Sequence, residues 1–265
     1  MKHIVFYSGG IGSWYAAKRV VERHGAENVV LLFTDTLVED EDLYRFLDES
    51  TALLGATLVK IADGRTPWEV FRDERFIGNS RIAPCSHILK QETAEKWIKA
   101  NYAPDECVLY LGIDWTEEHR TVAPRKNWLP YRVEFPMCDE PYVMKDDMIA
   151  ELASLGVTPP RLYALGFSHN NCGGFCVRAG QGHFANLLDK LPERYKAHEA
   201  QEESLRQYLG KDVSILRRQR QGVKTPLTLR QLRDELQGGD ASQVDMFDIG
   251  GCGCFVNYDE EASNA

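Results

Sequence analysis

The sequence is poor in the features that would place it in a membrane or outside the cell. No run in its 265 residues approaches the roughly 18 consecutive apolar residues that a membrane helix needs, so no membrane association is expected. The opening Met1-Lys2-His3-Ile4-Val5-Phe6-Tyr7 is interrupted too early by Ser8 and two glycines to serve as a secretion signal, so a cytoplasmic location is expected. An excess of positive charge is also lacking. The net charge is −9, the opposite of the balance that a non-specific nucleic-acid binder usually shows. A small-molecule substrate is favoured on charge, and a structured RNA stays open. The one basic stretch, Arg217-Arg218-Gln219-Arg220 followed by Lys224, reads as a solvated helix end. Seven cysteines are too few for a disulfide scaffold, and internal repeats, low-complexity segments and a clear linker are all missing.

What is present is an alternation of strand and helix signals. Apolar runs at Ile4 to Tyr7, Asn28 to Phe33, Ala56 to Ile61 and Cys107 to Leu111 predict strands. Between them, Trp14 to His24, Glu41 to Leu54 and Gln91 to Ala100 have helical periodicity. Continuous apolar strands separated by helices predict an α/β fold, a parallel sheet with helices on both faces. After about residue 135 the pattern changes to helices at Lys145 to Leu155 and Phe184 to Leu209, with a glycine- and cysteine-rich stretch at Gly166 to Gly182. The expected organisation is a nucleotide-binding domain over 1–135 and a mainly helical, cysteine-containing region over 136–265 packed on it.

The clearest motif follows the first strand. In Ser8-Gly9-Gly10-Ile11-Gly12-Ser13 the glycines let successive backbone N–H groups turn towards an anion. The helix beginning near Ser13 adds the positive end of its dipole, and Ser8 and Ser13 can add hydroxyl donors. Neither the Gly-Lys-Ser/Thr ending of the Walker loop nor a Gly-x-Gly-x-x-Gly spacing occurs.

This segment resembles the PP-loop, Ser-Gly-Gly-x-(Gly/Asp)-Ser, of the ATP pyrophosphatase superfamily. That superfamily's fold is adenine-nucleotide α-hydrolase-like, and its loop binds ATP pyrophosphate or a phosphosulfate. Asp35-Thr36 with Asp42 and Tyr44-Arg45-Phe46 is similar to a motif of the phosphoadenosine phosphosulfate reductase branch, with Leu37 in place of a glycine. Gly112-Ile113-Asp114-Trp115 through Glu118-His119-Arg120 resembles a later segment of that branch, with Asp114 in place of a basic residue. Leu162 to Phe167, followed by Cys172 and Cys176, resembles the approach to its second cysteine group. The resemblance spans most of residues 1 to 180. It implies nucleotide contacts from Ser8, Gly9, Gly10, Gly12, Ser13, Asp35, Thr36, Gly112 and Arg120, with Asp35 a catalytic magnesium or ribose contact. Lys90 either begins a helix facing the phosphates or is a surface lysine. The reductases' Glu-Cys-Gly-Leu-His motif does not occur.

Five cysteines lie beside glycines, prolines and polar residues, where ligands belong: Cys85, Cys172, Cys176, Cys252 and Cys254. Thiolates select zinc or an iron–sulfur cluster. Zinc would take Cys172, Cys176, Cys252 and Cys254; a [4Fe–4S] cluster would take Cys85, Cys172, Cys176 and one of the tail pair. Metal-free thiols remain open, as does Cys252 or Cys254 acting as a catalytic nucleophile on a glycine-flanked tail. Cys107 and Cys138 read as structural thiols. His87, His169 and His183 read as hydrogen-bonded polar residues, His169-Asn170-Asn171 as substrate contacts, and Trp14, Trp68 and Trp97 as core or lid.

Three functions are compatible with these residues. The first is an enzyme that cleaves ATP to AMP and pyrophosphate with Mg²⁺, activating a substrate for sulfur transfer to a nucleobase or nucleotide. Its partners would be a tRNA, DNA or small nucleotide acceptor and a sulfur donor protein. The second is a sulfonucleotide reductase acting on phosphoadenosine phosphosulfate, and the third a non-catalytic nucleotide sensor.

Overall fold

The computed structural model describes residues 1–220, 222–238 and 244–250, so Cys252 and Cys254 lie outside the described residues. Strands β1 (Lys2–Phe6), β2 (Val29–Asp35), β3 (Thr57–Ala62), β4 (Cys107–Tyr110) and β5 (Arg132–Glu134) form a sheet of order β3-β2-β1-β4-β5. All four pairings are parallel. The crossovers carry α1 (Ile11–His24), α2 (Glu41–Leu54), α3 (Pro67–Asp73), α4 (Thr93–Asn101) and α5 (Val122–Asn127). Then come α6 (Lys145–Ser154), α7 (Arg161–Ala164), α8 (Gln181–Lys190) and α9 (Pro192–Leu209). The antiparallel pair β6 (Leu216–Arg220) and β7 (Val223–Leu227) and helix α10 (Leu229–Gly238) follow. The fold class is α/β, as expected. No helix among the described residues is long and apolar enough to cross a membrane.

The side-chain period of two in β1 and β2 divides the sheet between two cores. Val5, Tyr7, Leu31 and Phe33 meet Trp14, Ala17 and Val20 of α1, Phe46 and Leu47 of α2, and Met148 and Leu152 of α6. Ile4, Phe6, Val30 and Leu32 face the other way, towards Ala94 and Ile98 of α4 and Trp128. A third core joins Trp68 and Phe71 of α3 to Phe175, Phe184 of α8, Tyr195 of α9, and Leu216, Leu227 and Leu232. The two stretches of the chain therefore interlock, α6 lying on the sheet while α3 packs among the later helices.

The basic stretch Arg217 to Arg220 is a β-strand, not the helix end expected from its charge, because Leu216 and Leu227 bury opposite each other and pair the two strands. Lys90 is 5% exposed, so it is not a surface lysine. It sits in a π-helical turn, Ser86–Glu92, that runs into α4.

The turn from β2 into α2 is held by buried charge. Asp40 caps α2 by accepting from the Asp42 amide at 3.0 Å. Its two oxygens also take Arg161 Nε at 2.7 Å and Arg194 Nη1 at 2.7 Å. Burial alone would raise the Asp40 pKa, but the hydrogen bonds from Arg161 and Arg194 hold it below the usual carboxylate range. Asp40→Ala would leave two guanidinium groups without their carboxylate, with an expected loss of about 3 kcal/mol in urea unfolding at neutral pH. A carboxylate with a depressed pKa stabilises only while ionised, so the gap between wild type and variant should narrow as the pH falls below about 4. Equal unfolding midpoints at pH 7 would refute this role.

Candidate active site

The order of strands reverses between β1 and β4, and in such sheets the crevice at the carboxyl ends of these strands receives the ligand. The glycine loop leaves β1 at this point and the segment from Leu111 to Arg120 leaves β4 beside it. Gly9 has φ +73°, and a Cβ there would meet Leu43 Cδ1 at 2.1 Å, so only glycine fits. Helix α1 begins at Ile11, and its Gly12 and Ser13 amides, by position, have no intrahelical acceptor. The Ile11 amide donates to the Tyr163 hydroxyl at 3.0 Å. Ser13 Oγ donates back to the Gly10 carbonyl at 2.8 Å, so its hydroxyl shapes the loop.

A cleft of about 370 Å³ opens in front of the loop. Ser8, Gly10, Gly12 and Ser13 line one side, and Gly112, Asp114 and Arg120 another. Lys145, Tyr163, His169 and Asn170 complete it from the later helices and turns. Sequence reasoning placed six of these residues at a nucleotide site; it gave no signal for Lys145, an unremarkable lysine at the start of α6. Burial lowers the Lys145 pKa. Its ammonium donates to the Ser168 carbonyl and lies 4.3 Å from the Tyr163 ring centroid. Arg120 pairs with Glu117 at 2.6 Å. Asn170 Nδ2 donates to the Gly9 carbonyl at 3.0 Å, which ties the later region to the loop.

Two buried polar atoms in this wall, His169 Nδ1 and Asn170 Oδ1, have no hydrogen-bond partner among the described residues. Burial presses the His169 pKa down to about 3, with His183 and the charges of Lys90 and Lys145 adding to the effect. His169 is thus a neutral imidazole beside two cations. Buried polar groups left unsatisfied are costly.

Asp35 is not among the residues that line this cleft. Its oxygens accept from Tyr44 Oη and from the Leu37 amide, each at 2.8 Å. Thr36 lines a separate small cavity of about 20 Å³, together with Cys85, Lys90, Cys172 and Cys176. Three of the five candidate metal-ligating cysteines are therefore brought to one place. Among the described residues, however, no three His, Cys, Asp or Glu side chains gather closely enough to hold a metal ion. Lys90 also lines, with Ser8, a second small cavity at the ends of β1 and β2. It thus stands between the glycine loop and the thiols, 3.8 Å from buried Glu39.

The thiol turn is conformationally strained. Cys172, Gly173 and Gly174 have φ of 52°, 58° and 85°, the left-handed region that a cysteine seldom adopts. Glu39 accepts from the Cys172 amide, Arg194 Nη1 donates to the Gly173 carbonyl at 2.6 Å, and His183 Nε2 contacts the Gly174 carbonyl at 2.7 Å. His183 thus has a backbone role, and His87 pairs with Glu92 near the surface at 3.3 Å, as expected of polar histidines. Trp14 and Trp68 are core residues. Burial pushes the Cys107 and Cys138 thiols each up to about 11, which fits inert structural thiols.

No protein-family model and no curated protein matches the chain. Among solved structures it is similar to phosphoadenylyl-sulfate (PAPS) reductase from Candida auris in a phosphate complex. That likeness has 14% identity and a TM-score of 0.44, and covers 63% of this chain and 78% of the other. It is also similar to the NH3-dependent NAD synthetase from Campylobacter jejuni subsp. jejuni NCTC 11168 in complex with nitrate. Here identity is 13% and the TM-score 0.41, with 80% and 84% covered. Neither likeness assigns a ligand or a reaction to this chain.

A Cβ on Gly112 would lie 3.0 Å from the Gly12 carbonyl oxygen and 3.2 Å from Ser13 Cα. Gly112→Ala should therefore push the β4 segment off the loop and weaken ATP binding about tenfold, roughly 1.4 kcal/mol, in titration calorimetry. Unchanged affinity would show that the close approach is not needed. Deprotonation of Lys145, favoured by its lowered pKa, removes a cation from the cleft. Wild-type affinity for ATP should then fall with rising pH before the ordinary lysine value of about 10.4 is reached, whereas Lys145→Arg should hold its affinity there. Parallel pH profiles for the two proteins would exclude Lys145 as a phosphate contact.

Proposed function

We propose that this chain is an adenine-nucleotide-dependent enzyme of the PP-loop kind, which splits ATP between its α and β phosphates to activate an acceptor for sulfur transfer. The observation that carries this reading is the glycine loop, anchored by Asn170 and opening a helix, at the point where the strand order reverses, with Lys145 and Arg120 across the same cleft. The amides of Gly12 and Ser13, the α1 dipole and the two cations would bear the charge that develops on departing pyrophosphate. An oxygen of a nucleobase or nucleotide carbonyl attacks the α-phosphorus, and the bond to the β-phosphate oxygen breaks. A sulfur nucleophile then adds at the activated carbon, and AMP leaves with the oxygen. Mg²⁺ accompanying the nucleotide would find a carboxylate at Asp114, which lines the cleft.

The sulfur assignment is supported by Cys85, Cys172 and Cys176 sharing one cavity with Lys90, next to the loop. Their thiolates are the donor type that fits an iron–sulfur cluster or zinc, and a full set of four requires Cys252 or Cys254. Held instead by three cysteines, a cluster would keep one iron open and supply a place to hold sulfide. What the chain itself contributes is the strained turn that presents Cys172 and the positive charge of Lys90 beside it.

The test is protein purified without oxygen and given Mg²⁺·ATP, sulfide and unfractionated tRNA. Equimolar AMP and pyrophosphate by phosphorus NMR are expected, together with absorbance near ~400 nm that Cys85→Ala and Cys176→Ala abolish. ADP and phosphate as products, or sulfite released from phosphoadenosine phosphosulfate without pyrophosphate, would overturn the reaction. Colourless, metal-free protein would remove the sulfur-transfer assignment.

A further inference from the structure

A second groove, of about 440 Å³, lies between the β6–β7 hairpin, the turn after α3 and the end of α9, and shares no lining residue with the nucleotide cleft. Four cations line it: Arg75, Lys211, Arg217 and Lys224, all exposed. None of the four has an ion-pair partner among the described residues. The one acid in the groove, Asp212, is already bridged to Arg206 at 2.8 Å. In a chain of net charge −9, surface cations ordinarily find carboxylates, and four left together point to an anionic partner.

The hairpin is built to present this charge. Its register sets Gln219 opposite Lys224 and Arg217 opposite Pro226, so Arg217 and Lys224 share one face. Arg218 faces the other way and pairs with Glu235 of α10. The base is fixed by buried Glu202, which accepts from the Ile215 amide at 3.0 Å and the Leu229 amide at 2.6 Å. Ser214 accepts from the Leu227 amide at 3.0 Å. Across the groove Arg75 is held at φ 52°, with its guanidinium 5.4 Å from the ring centroid of Tyr208. Tyr208, next to the lining residue Leu209, is 45% exposed and also carries Arg72 at 5.0 Å from its ring centroid.

We propose that this groove binds a single-stranded stretch of nucleic acid, with the four cations on successive phosphates and Tyr208 stacking on a base. A cationic groove paired with an exposed aromatic ring is the arrangement that recognises a single strand without reading its sequence. Binding here does not depend on the proposed reaction; only the further step, that the bound strand carries the acceptor base, rests on that reading.

The test is fluorescence anisotropy of the full chain with labelled 20-nucleotide single-stranded RNA and DNA, over KCl from about 50 to 250 mM. Wild type should bind one or both with a salt-dependent affinity. Arg75→Gln/Lys211→Gln/Arg217→Gln/Lys224→Gln should bind at least about tenfold more weakly, with the slope of log affinity against log salt reduced by about 3. Lys60→Gln/Lys96→Gln/Lys99→Gln/Lys190→Gln, with the same change in net charge, should bind as wild type. Tyr208→Ala should weaken binding about tenfold and leave the slope unchanged, a readout that does not rely on the fourfold variant folding. No binding by wild type at the lowest salt, or fourfold-variant binding equal to wild type, would overturn the proposal. Poly-glutamate competing as well as the oligonucleotide would assign the groove to an acidic peptide instead.

Discussion

Glu39 and Asp40 are buried side by side where β2 turns into α2, and the site depends on how their charges are satisfied. Burying carboxylates is costly unless each finds cations and donors. Asp40 finds Arg161 and Arg194, both from beyond residue 160, and Arg194 extends the contact to the Gly173 carbonyl. Glu39 takes the Thr36 hydroxyl at 2.9 Å and the Cys172 amide, and lies beside Lys90. The thiol turn is thus strapped to the carboxyl end of the sheet by ionic and hydrogen-bonded contacts, and its left-handed backbone is tolerated because those contacts fix it.

That strap explains how residues far apart in sequence share one neighbourhood. Lys90 lies between the glycine loop and the cysteines, lining one small cavity with Ser8 and another with Cys85, Cys172 and Cys176. Asn170, two residues before Cys172, reaches Gly9, so the same segment serves the loop and the thiols. Local π-helix and left-handed cysteine geometry are both departures from regular structure, and such departures tend to gather at functional sites. Phosphate chemistry and sulfur chemistry would then be adjacent, as an activation followed by sulfur transfer requires.

Much of the fold was legible because β1 to β4 are largely apolar runs, whereas β5, Arg132–Glu134, buries only Val133 and gave no such signal. Helix α2 matched its expected range, Glu41 to Leu54, since Asp40 and Gly55 mark its two ends. Helix α3 was missed although Thr66 and Glu69 form a capping box, because seven residues are too few to show a helical period. The β6–β7 hairpin was hidden by its composition. Four of the five residues in β6 are polar or charged, so alternation gave no signal, and pairing depends on Leu216 and Leu227 meeting across it. At the site, the loop glycines announced themselves through the turn they permit. Lys145 and the buried Glu39–Lys90 contact did not, since charge compensation across distant segments leaves no local pattern.

In the proposed reaction, backbone amides at the start of α1 grip a nucleotide's phosphates in the cleft facing Arg120 and Lys145. Titration calorimetry of the folded chain with ATP, with and without Mg²⁺, tests it most directly. Saturable binding with one site per chain, lost when Gly9 is replaced by valine in a protein that still melts cooperatively, is the expected result. Absence of heat from ATP, AMP and phosphoadenosine phosphosulfate alike would contradict it.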